Sequence, residues 1–235
     1  MKQLNIIISL FLMISFSIAQ TKIWADIDGE DESFLEPPSL TESHNELEII
    51  VNEQNEPALS RVSIQNSGDR STLTYVPDDN FEQALIDLGY DNVLDDSVLT
   101  ANISGVTSLS VNNKEISDLT GIQSFAALTY LKCSDNNLTA LDVSNNTALT
   151  SLRCYDNQLT ALDVSANTAL VYLYCYDNQL TALDVSANTA LVYLYCHYNQ
   201  LTALDVSANT ALTKLYCYSN QLTALDVSAN TALTR

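Results

Sequence analysis

Five cysteines recur at a fixed interval in the second half of the chain, and the residues around them recur with the same period. They are 21 residues apart, at Cys133, Cys154, Cys175, Cys196 and Cys217. Residues 170–190 read LVYLYCYDNQLTALDVSANTA, and residues 191–211 repeat that string with two changes. A period of this length predicts a solenoid, in which each unit contacts only its neighbours along the stack. Such a stack presents rows of like residues, which suits binding better than catalysis.

Each unit is predicted to contain two similar half-turns. The first half has the pattern LxxLxCxxNxL, in which Leu173 and Cys175 alternate with outward residues as in a strand with one buried face. The second half repeats this pattern from Leu180 and leaves no room for a helix. Asn178 and Asn188 close the two halves, where each is expected to bond backbone groups of adjoining turns. We therefore predict a parallel β-sheet on one face and extended chain on the opposite face.

The chain divides into four predicted regions. Residues 1–19 have the basic start, apolar run and small-residue cleavage site of a secretory signal, and the run is shorter than the about 20 apolar residues that a membrane anchor needs. Residues 20–75 form an acidic, mostly flexible leader, and residues 76–105 form a helical N-terminal cap. Residues 106–235 form the repeat array, with six units and the start of another, so we expect a truncated C-terminus. The mature protein is expected to be secreted or held at the cell surface.

The charge balance is strongly acidic, with 29 Asp and Glu against 9 Lys and Arg. Such a surface repels phosphate backbones and anionic lipid, which disfavours nucleic acid and membrane surfaces as partners. We expect no membrane insertion once the signal is removed. Within the leader, two short apolar runs at residues 47–51 and 59–64 are compatible with a pair of strands or with continued linker.

The predicted cap is built around one amphipathic helix. Asp79 to Leu88 has apolar residues at spacings of three and four, acids near its start and Gly89 after its end. Its apolar stripe, which includes Phe81, is expected to cover the open end of the repeat stack. A second, shorter helix is predicted to begin at Asp95.

The repeat motif LxxLxCxxNxLTxLDVSxNTA resembles a leucine-rich repeat of the nested 21-residue bacterial type. The preceding VPDDNFEQALIDLGYDN through LTGIQSFAAL resembles the N-terminal cap and first repeat of internalin-like surface proteins, as found in Bacteroidetes-type bacteria. The resemblance covers about residues 76–235. It implies a leucine-rich-repeat solenoid that is secreted or attached to the surface and binds proteins or glycans.

Two residue types with reactive or metal-binding side chains, cysteine and aspartate, recur in columns along the predicted stack. The cysteines are expected to form a buried ladder, since Cys behaves as a small hydrophobe in cores; disulfides and a metal site are the disfavoured alternatives. A column of aspartates is expected to cap local chain bends, with shared calcium as the alternative. We expect no cofactor. The aspartates of this column are Asp142, Asp163, Asp184, Asp205 and Asp226.

Tyrosine provides the best functional clue, because ten of the twelve tyrosines lie in the LxxLxCxxN halves. They are expected to face outward on one side of the sheet, either as stacking ladders that merely favour strands or as a recognition surface. Six strands would give a face of roughly 500 Å², which suits a peptide or a glycan better than a large partner. The predicted ligand-binding face comprises Tyr155, Tyr172, Tyr174, Tyr176, Tyr193, Tyr195, His197, Tyr198, Tyr216 and Tyr218.

The sequence does not favour an enzyme. Its two histidines are His44, in the leader, and His197, among the tyrosines, and no nucleophile is arranged against either. We therefore predict a binding module for a protein or peptide. A glycan-binding surface protein and a structural stalk without a ligand are the alternatives.

Overall fold

A computed structural model describes residues 72–234 of the chain. The predicted signal at 1–19, both apolar runs and nearly all of the leader lie outside the described residues. Within 72–234, no helix has the length and apolar character that crossing a membrane requires.

The cap contains two strands and two helices. Strand β1 (Leu73–Tyr75) pairs antiparallel with β2 (Ser97–Leu99), helix α1 (Asp79–Asp87) lies between them in sequence, and a single helical turn, α2 (Thr100–Ile103), follows. Two expectations were wrong. Ordered structure precedes residue 76, where we had placed the start of the cap. The second helix begins at Thr100, because the segment from Asp95 first turns into a strand.

A buried carboxylate explains that strand. Glu82 on α1 is fully buried, and its two oxygens accept hydrogen bonds from the backbone N–H groups of Asp95, Asp96 and Ser97 at 2.9–3.0 Å. Asp96 has a φ of 63°, which turns the chain so that Ser97 pairs with Tyr75. The carboxylate thus satisfies three backbone donors of this segment and holds it against α1.

Helix α1 begins at Asp79 as its sequence predicts and ends at Asp87, one residue before the predicted end. The Asp78 carboxylate accepts a hydrogen bond from the Phe81 N–H at 2.9 Å, and Gly89 follows the helix with a φ of 80°. Phe81 and Leu85 are fully buried in the same hydrophobic core as the repeats. Leu88, the last residue of the predicted helix, is exposed because it is the C-cap residue beyond the last turn.

Six parallel strands, one per unit, form the sheet of the array in sequence order. Each strand aligns with the next in a single register, so Leu131, Leu152, Leu173 and Leu194 become direct neighbours. In the units between residues 128 and 234, the second half-turn contains no helix. The first unit differs, with one 3-10 turn at Ile122–Ser124. The strands are β3 (Ser108–Ser110), β4 (Tyr130–Lys132), β5 (Ser151–Arg153), β6 (Tyr172–Tyr174), β7 (Tyr193–Tyr195) and β8 (Lys214–Tyr216).

Buried asparagines tie successive turns together. Asn178 donates to the Cys154 carbonyl of the preceding turn at 3.0 Å and accepts from the Leu159 N–H at 2.9 Å. In the other half, Asn188 donates to the carbonyls of Val164 and Asn167, both at 2.9 Å. Side-chain amides thereby provide hydrogen-bond partners for backbone groups at the bends of the solenoid. The rigid stack that results positions the outward residues of the sheet.

Candidate binding face

Strand register aligns the outward residues of the sheet into columns. Because side chains alternate along a strand, the neighbours of each buried leucine point away from the core. The first column runs Tyr130, Ser151, Tyr172, Tyr193 and Lys214. The second runs Lys132, Arg153, Tyr174, Tyr195 and Tyr216.

Tyrosines in these two columns meet edge to face. The ring centroids of Tyr174 and Tyr195 are 4.8 Å apart with planes at 73°, and those of Tyr195 and Tyr216 are 4.4 Å apart at 66°. Tyr172 and Tyr193 pack in the same way at 5.2 Å. This geometry places the positive edge of one ring against the negative face of the next, which stabilises each pair by about 0.5–1.5 kcal/mol beyond its burial.

Cations of the chain itself lie on some of these rings. The Arg153 guanidinium carbon is 5.6 Å from the ring centroid of Tyr130 and 5.0 Å from that of Tyr174. The Lys214 ammonium is 4.5 Å from the ring centroid of Tyr193. Both lie within the range of a cation–π interaction. Arg153 and Lys214 were not among the site residues predicted from the sequence.

The third column forms a continuous aromatic stack. Tyr155, Tyr176, His197 and Tyr218 follow one another at 4.4, 4.5 and 4.5 Å, with planes within 23° of parallel. Our expectation that all four face solvent was wrong for Tyr155 and His197, whose exposed fractions are 8% and 9%. Near-parallel rings one turn apart cover each other, so much of their surface is lost to neighbouring units.

The fourth column turns the chain out of the sheet in a left-handed conformation. Its members have φ values of 51–56°, a region that suits Asp and Asn better than bulky residues. Tyr198 adopts this conformation where three other units have Asp, at a cost of about 1 kcal/mol. Its ring contacts those of His197 and Tyr218 at centroid distances of 5.4 and 5.3 Å. The column is Asp135, Asp156, Asp177, Tyr198 and Ser219.

The three aspartates of this column create a negative row beside the aromatic stack. Partial burial raises the pKa of the Asp156 carboxyl, and the neighbouring charges of Asp135 and Asp177 raise it further. The face therefore carries mutually repelling carboxylates at one edge and aromatic rings across its middle.

The predicted site residues differ in how much of each side chain solvent can reach. Tyr172, Tyr198 and Tyr218 are the most open, with exposed fractions of 38%, 52% and 51%. Tyr174, Tyr176, Tyr193, Tyr195 and Tyr216 are half-buried. The structure thus brings all ten residues to one side of the solenoid, with the three open rings as its most accessible part.

The aspartate column of the opposite half caps local turns. Asp184 accepts a hydrogen bond from the Ser186 N–H at 2.9 Å, and Asp205 does the same with Ser207. Hydrogen bonds from the hydroxyl and backbone N–H of Ser186 lower the pKa of the Asp184 carboxyl. All five aspartates of the column make this bond.

The cysteines form a ladder of free thiols along the inner side of the sheet. Four are buried and Cys217 is half-buried. Burial raises the pKa of the Cys154 thiol to about 12. Within residues 72–234, no group of three or more His, Cys, Asp or Glu side chains is placed to hold a metal ion.

Comparison with known proteins gives matches in sequence and in structure. A family model described as the LVIVD repeat matches residues 129–157. Internalin J of Listeria monocytogenes serotype 4b (strain F2365) is 41% identical over 73 residues, which are 31% of this chain and 8% of that protein. The functional domain of internalin J from Listeria monocytogenes superposes with a TM-score of 0.65 at 43% identity, over 70% of this chain and 37% of that one. That domain is described as including a cysteine ladder.

Two further solved structures share the fold at lower identity. An internalin (internalin F) from Listeria monocytogenes has a TM-score of 0.62 at 23% identity, over 68% of this chain and 48% of that one. A leucine-rich-repeat protein of Leptospira interrogans has a TM-score of 0.54 at 24% identity, over 56% of this chain and 36% of that one. The chain thus spans less than half the length of these relatives. Its repeats, cap and these similarities make it an internalin-like leucine-rich-repeat protein.

Proposed function

We propose that the chain is a secreted or cell-surface binding module that recognises a protein or peptide through the tyrosine-rich face of its sheet. Similarity to internalins supports a binding role in general. Export rests on the predicted signal at 1–19, and an origin in Bacteroidetes-type bacteria stays a prediction.

The observation that carries the proposal is the arrangement of open rings on a rigid support. Tyr172, Tyr198 and Tyr218 expose a third to a half of their side chains. Each is held by ring contacts to a neighbouring unit. Tyrosine has few rotatable bonds, so a ligand gains aromatic contact area and a hydroxyl at a small entropic cost. Such residues form the energetic centres of many interfaces.

Glycan binding is the second candidate, because a sugar ring also stacks on tyrosine. The open rings and adjacent carboxylates offer both stacking surfaces and hydrogen-bond acceptors. A structural stalk requires the stack alone and predicts no ligand.

The proposal is tested by selecting ligands from a random peptide library and a glycan array with the full chain. A triple variant, Tyr172→Ser, Tyr198→Ser and Tyr218→Ser, removes the three open rings. We expect it to lose at least about tenfold in affinity for any selected ligand, since exposed aromatic anchors carry a large share of binding energy.

The matched control changes three exposed residues of the opposite half, Thr160→Ser, Thr181→Ser and Thr202→Ser. It is expected to bind as the unaltered chain does. Retained binding by the tyrosine variant would refute the proposed face, and the absence of any ligand in both libraries would favour the stalk.

A further inference from the structure

The tyrosine face already accommodates positive charge where the chain supplies it. The Arg153 guanidinium lies near two rings, those of Tyr130 and Tyr174, and the Lys214 ammonium lies over Tyr193. These contacts occupy the first two columns. The edge of the face at Tyr198 carries no Lys or Arg in its own column.

Tyr198 marks this edge as unusual. It is one of two residues that distinguish its unit from the preceding one, and it replaces Asp at a left-handed position. Strained residues that the surrounding structure tolerates tend to cluster at functional sites. The Tyr198 side chain is half exposed. The strained backbone therefore adds little to core packing and instead presents the aromatic ring to solvent.

Negative charge lies in the same column as this ring. Asp177 and Asp156 occupy the same column one and two turns away, and turns are spaced about 4.8 Å apart. The backbone bond from Asn178 N–H to the Tyr198 carbonyl, at 3.1 Å, fixes the two units in register. An aromatic face and a carboxylate row therefore meet along one edge.

We propose that this edge recognises an extended basic peptide, with an Arg or Lys side chain lying against Tyr198 and Tyr218 and its charge facing Asp177 and Asp156. The proposal rests on the proposed function and names the ligand class of that site. A cationic side chain satisfies both chemistries, since it stacks on a ring and relieves repulsion within the row. A neutral sugar would relieve none of that repulsion.

The probe is a labelled 12-residue Gly/Ser peptide with three arginines at alternating positions. Its partner has citrulline, a neutral isostere, in their place. A neutral N-acetylglucosamine hexamer is the third ligand. Binding to the full chain is measured by fluorescence anisotropy at low and at high salt. We expect the arginine peptide to bind at least about tenfold tighter than the citrulline peptide, with a difference that shrinks as salt rises.

Two charge-matched variants separate this site from the general acidity of the chain. Asp156→Asn with Asp177→Asn removes two charges from the row, and Asn tolerates the left-handed backbone. Asp184→Asn with Asp205→Asn removes two charges from the opposite half. The first pair should weaken arginine-peptide binding by about three- to tenfold, and the second should leave it nearly unchanged.

A ring variant completes the set. Tyr198→Asn restores a residue suited to the backbone and removes the ring, so binding should fall about threefold. The control is Tyr75→Asn, which removes an exposed ring from the cap.

Three outcomes would overturn the inference. They are equal binding of the two peptides, equal losses from the two Asp pairs, or binding of the neutral hexamer alone. If selected ligands still depend on the open rings in any of these cases, the proposed function stands and only the ligand class fails. If the open-ring variant loses no ligand, the proposed function itself fails.

Discussion

Asn178 shows how one residue type closes a bend of the solenoid. Its amide donates to three carbonyls and accepts from one backbone N–H, and it is buried. The sequence predicted this role, because a polar residue recurring within a buried pattern must bond to something. The equivalent position of the first unit is Lys114, whose backbone N–H instead donates to Asn136 while its ammonium binds Asp87 on α1 at 3.0 Å.

Replacing Asn178 by Ala should lower the free energy of unfolding by about 1–3 kcal/mol, because buried backbone groups lose their partner. The measurement is urea unfolding followed by circular dichroism. The control is Gln179→Ala, at an exposed neighbour. Similar losses from the two variants would contradict the structural role of the asparagine.

The cysteine ladder predicts a graded thiol reactivity. Burial raises the pKa of every thiol in the ladder, so the reactive thiolate is scarce, and only Cys217 is partly open. In native buffer at pH 8, Ellman's reagent should react slowly with at most one thiol per chain, and with five in denaturant. Rapid reaction of several thiols in the folded chain would show that the cysteine ladder is not buried in the core.

One carboxylate joins the cap helix to the first unit of the array. One Asp78 oxygen caps α1, and the other accepts from the backbone N–H and hydroxyl of Ser117 and from the backbone N–H of Asp118 at 2.7–3.0 Å. The cap helix could be predicted because its signals are local. The antiparallel pairing of β1 with β2 could not, since Glu82 bonds to backbone groups more than ten residues later.

Asp78→Ala should destabilise the chain by about 1–3 kcal/mol, through loss of the helix cap and of the link to the first unit. Asp79→Ala, at the exposed next residue, is the control. Urea unfolding measures both variants. Equal effects would mean that the link to Ser117 and Asp118 contributes nothing.

At the scale of the whole molecule, stability should fall in acid. Bonds from the backbone and hydroxyl of Ser207 lower the pKa of the Asp205 carboxyl below its ordinary 3.8, and the rest of its column is lowered by equivalent bonds. A group whose folded pKa is lowered stabilises the fold above its ordinary pKa, and this contribution is lost as pH falls through the folded value. Asp156, whose pKa is raised, acts in the opposite sense, destabilising the fold as pH rises past 3.8.

The test compares the melting temperature from pH 6 to pH 2.5 for the unaltered chain and a triple variant, Asp163→Asn, Asp184→Asn and Asp205→Asn. The variant should show the smaller fall in acid, since it has lost the titrating groups. The control, Asp156→Asn, should show a steeper fall. Parallel curves for all three proteins would contradict the assigned pKa directions.

The period of the sequence predicted which residues align, and so placed the ten candidate residues on one side. It could not predict how far each ring is exposed. That depends on stacking between units: His197 lies between Tyr176 and Tyr218, whereas Tyr198 is turned outward by its left-handed backbone. The alternation of buried and outward residues along a strand predicts neither the stacking of His197 nor the exposure of Tyr198.

Footprinting with hydroxyl radicals, read by mass spectrometry with and without a selected ligand, tests the tyrosine face most directly. Without ligand, Tyr172, Tyr198 and Tyr218 should react fastest among the repeat tyrosines, and Tyr155 slowest. With ligand, those three should be protected, whereas Tyr75, 61% exposed on the cap, should stay reactive. Protection of Tyr75 with no change at the three open rings would place binding elsewhere and contradict the account.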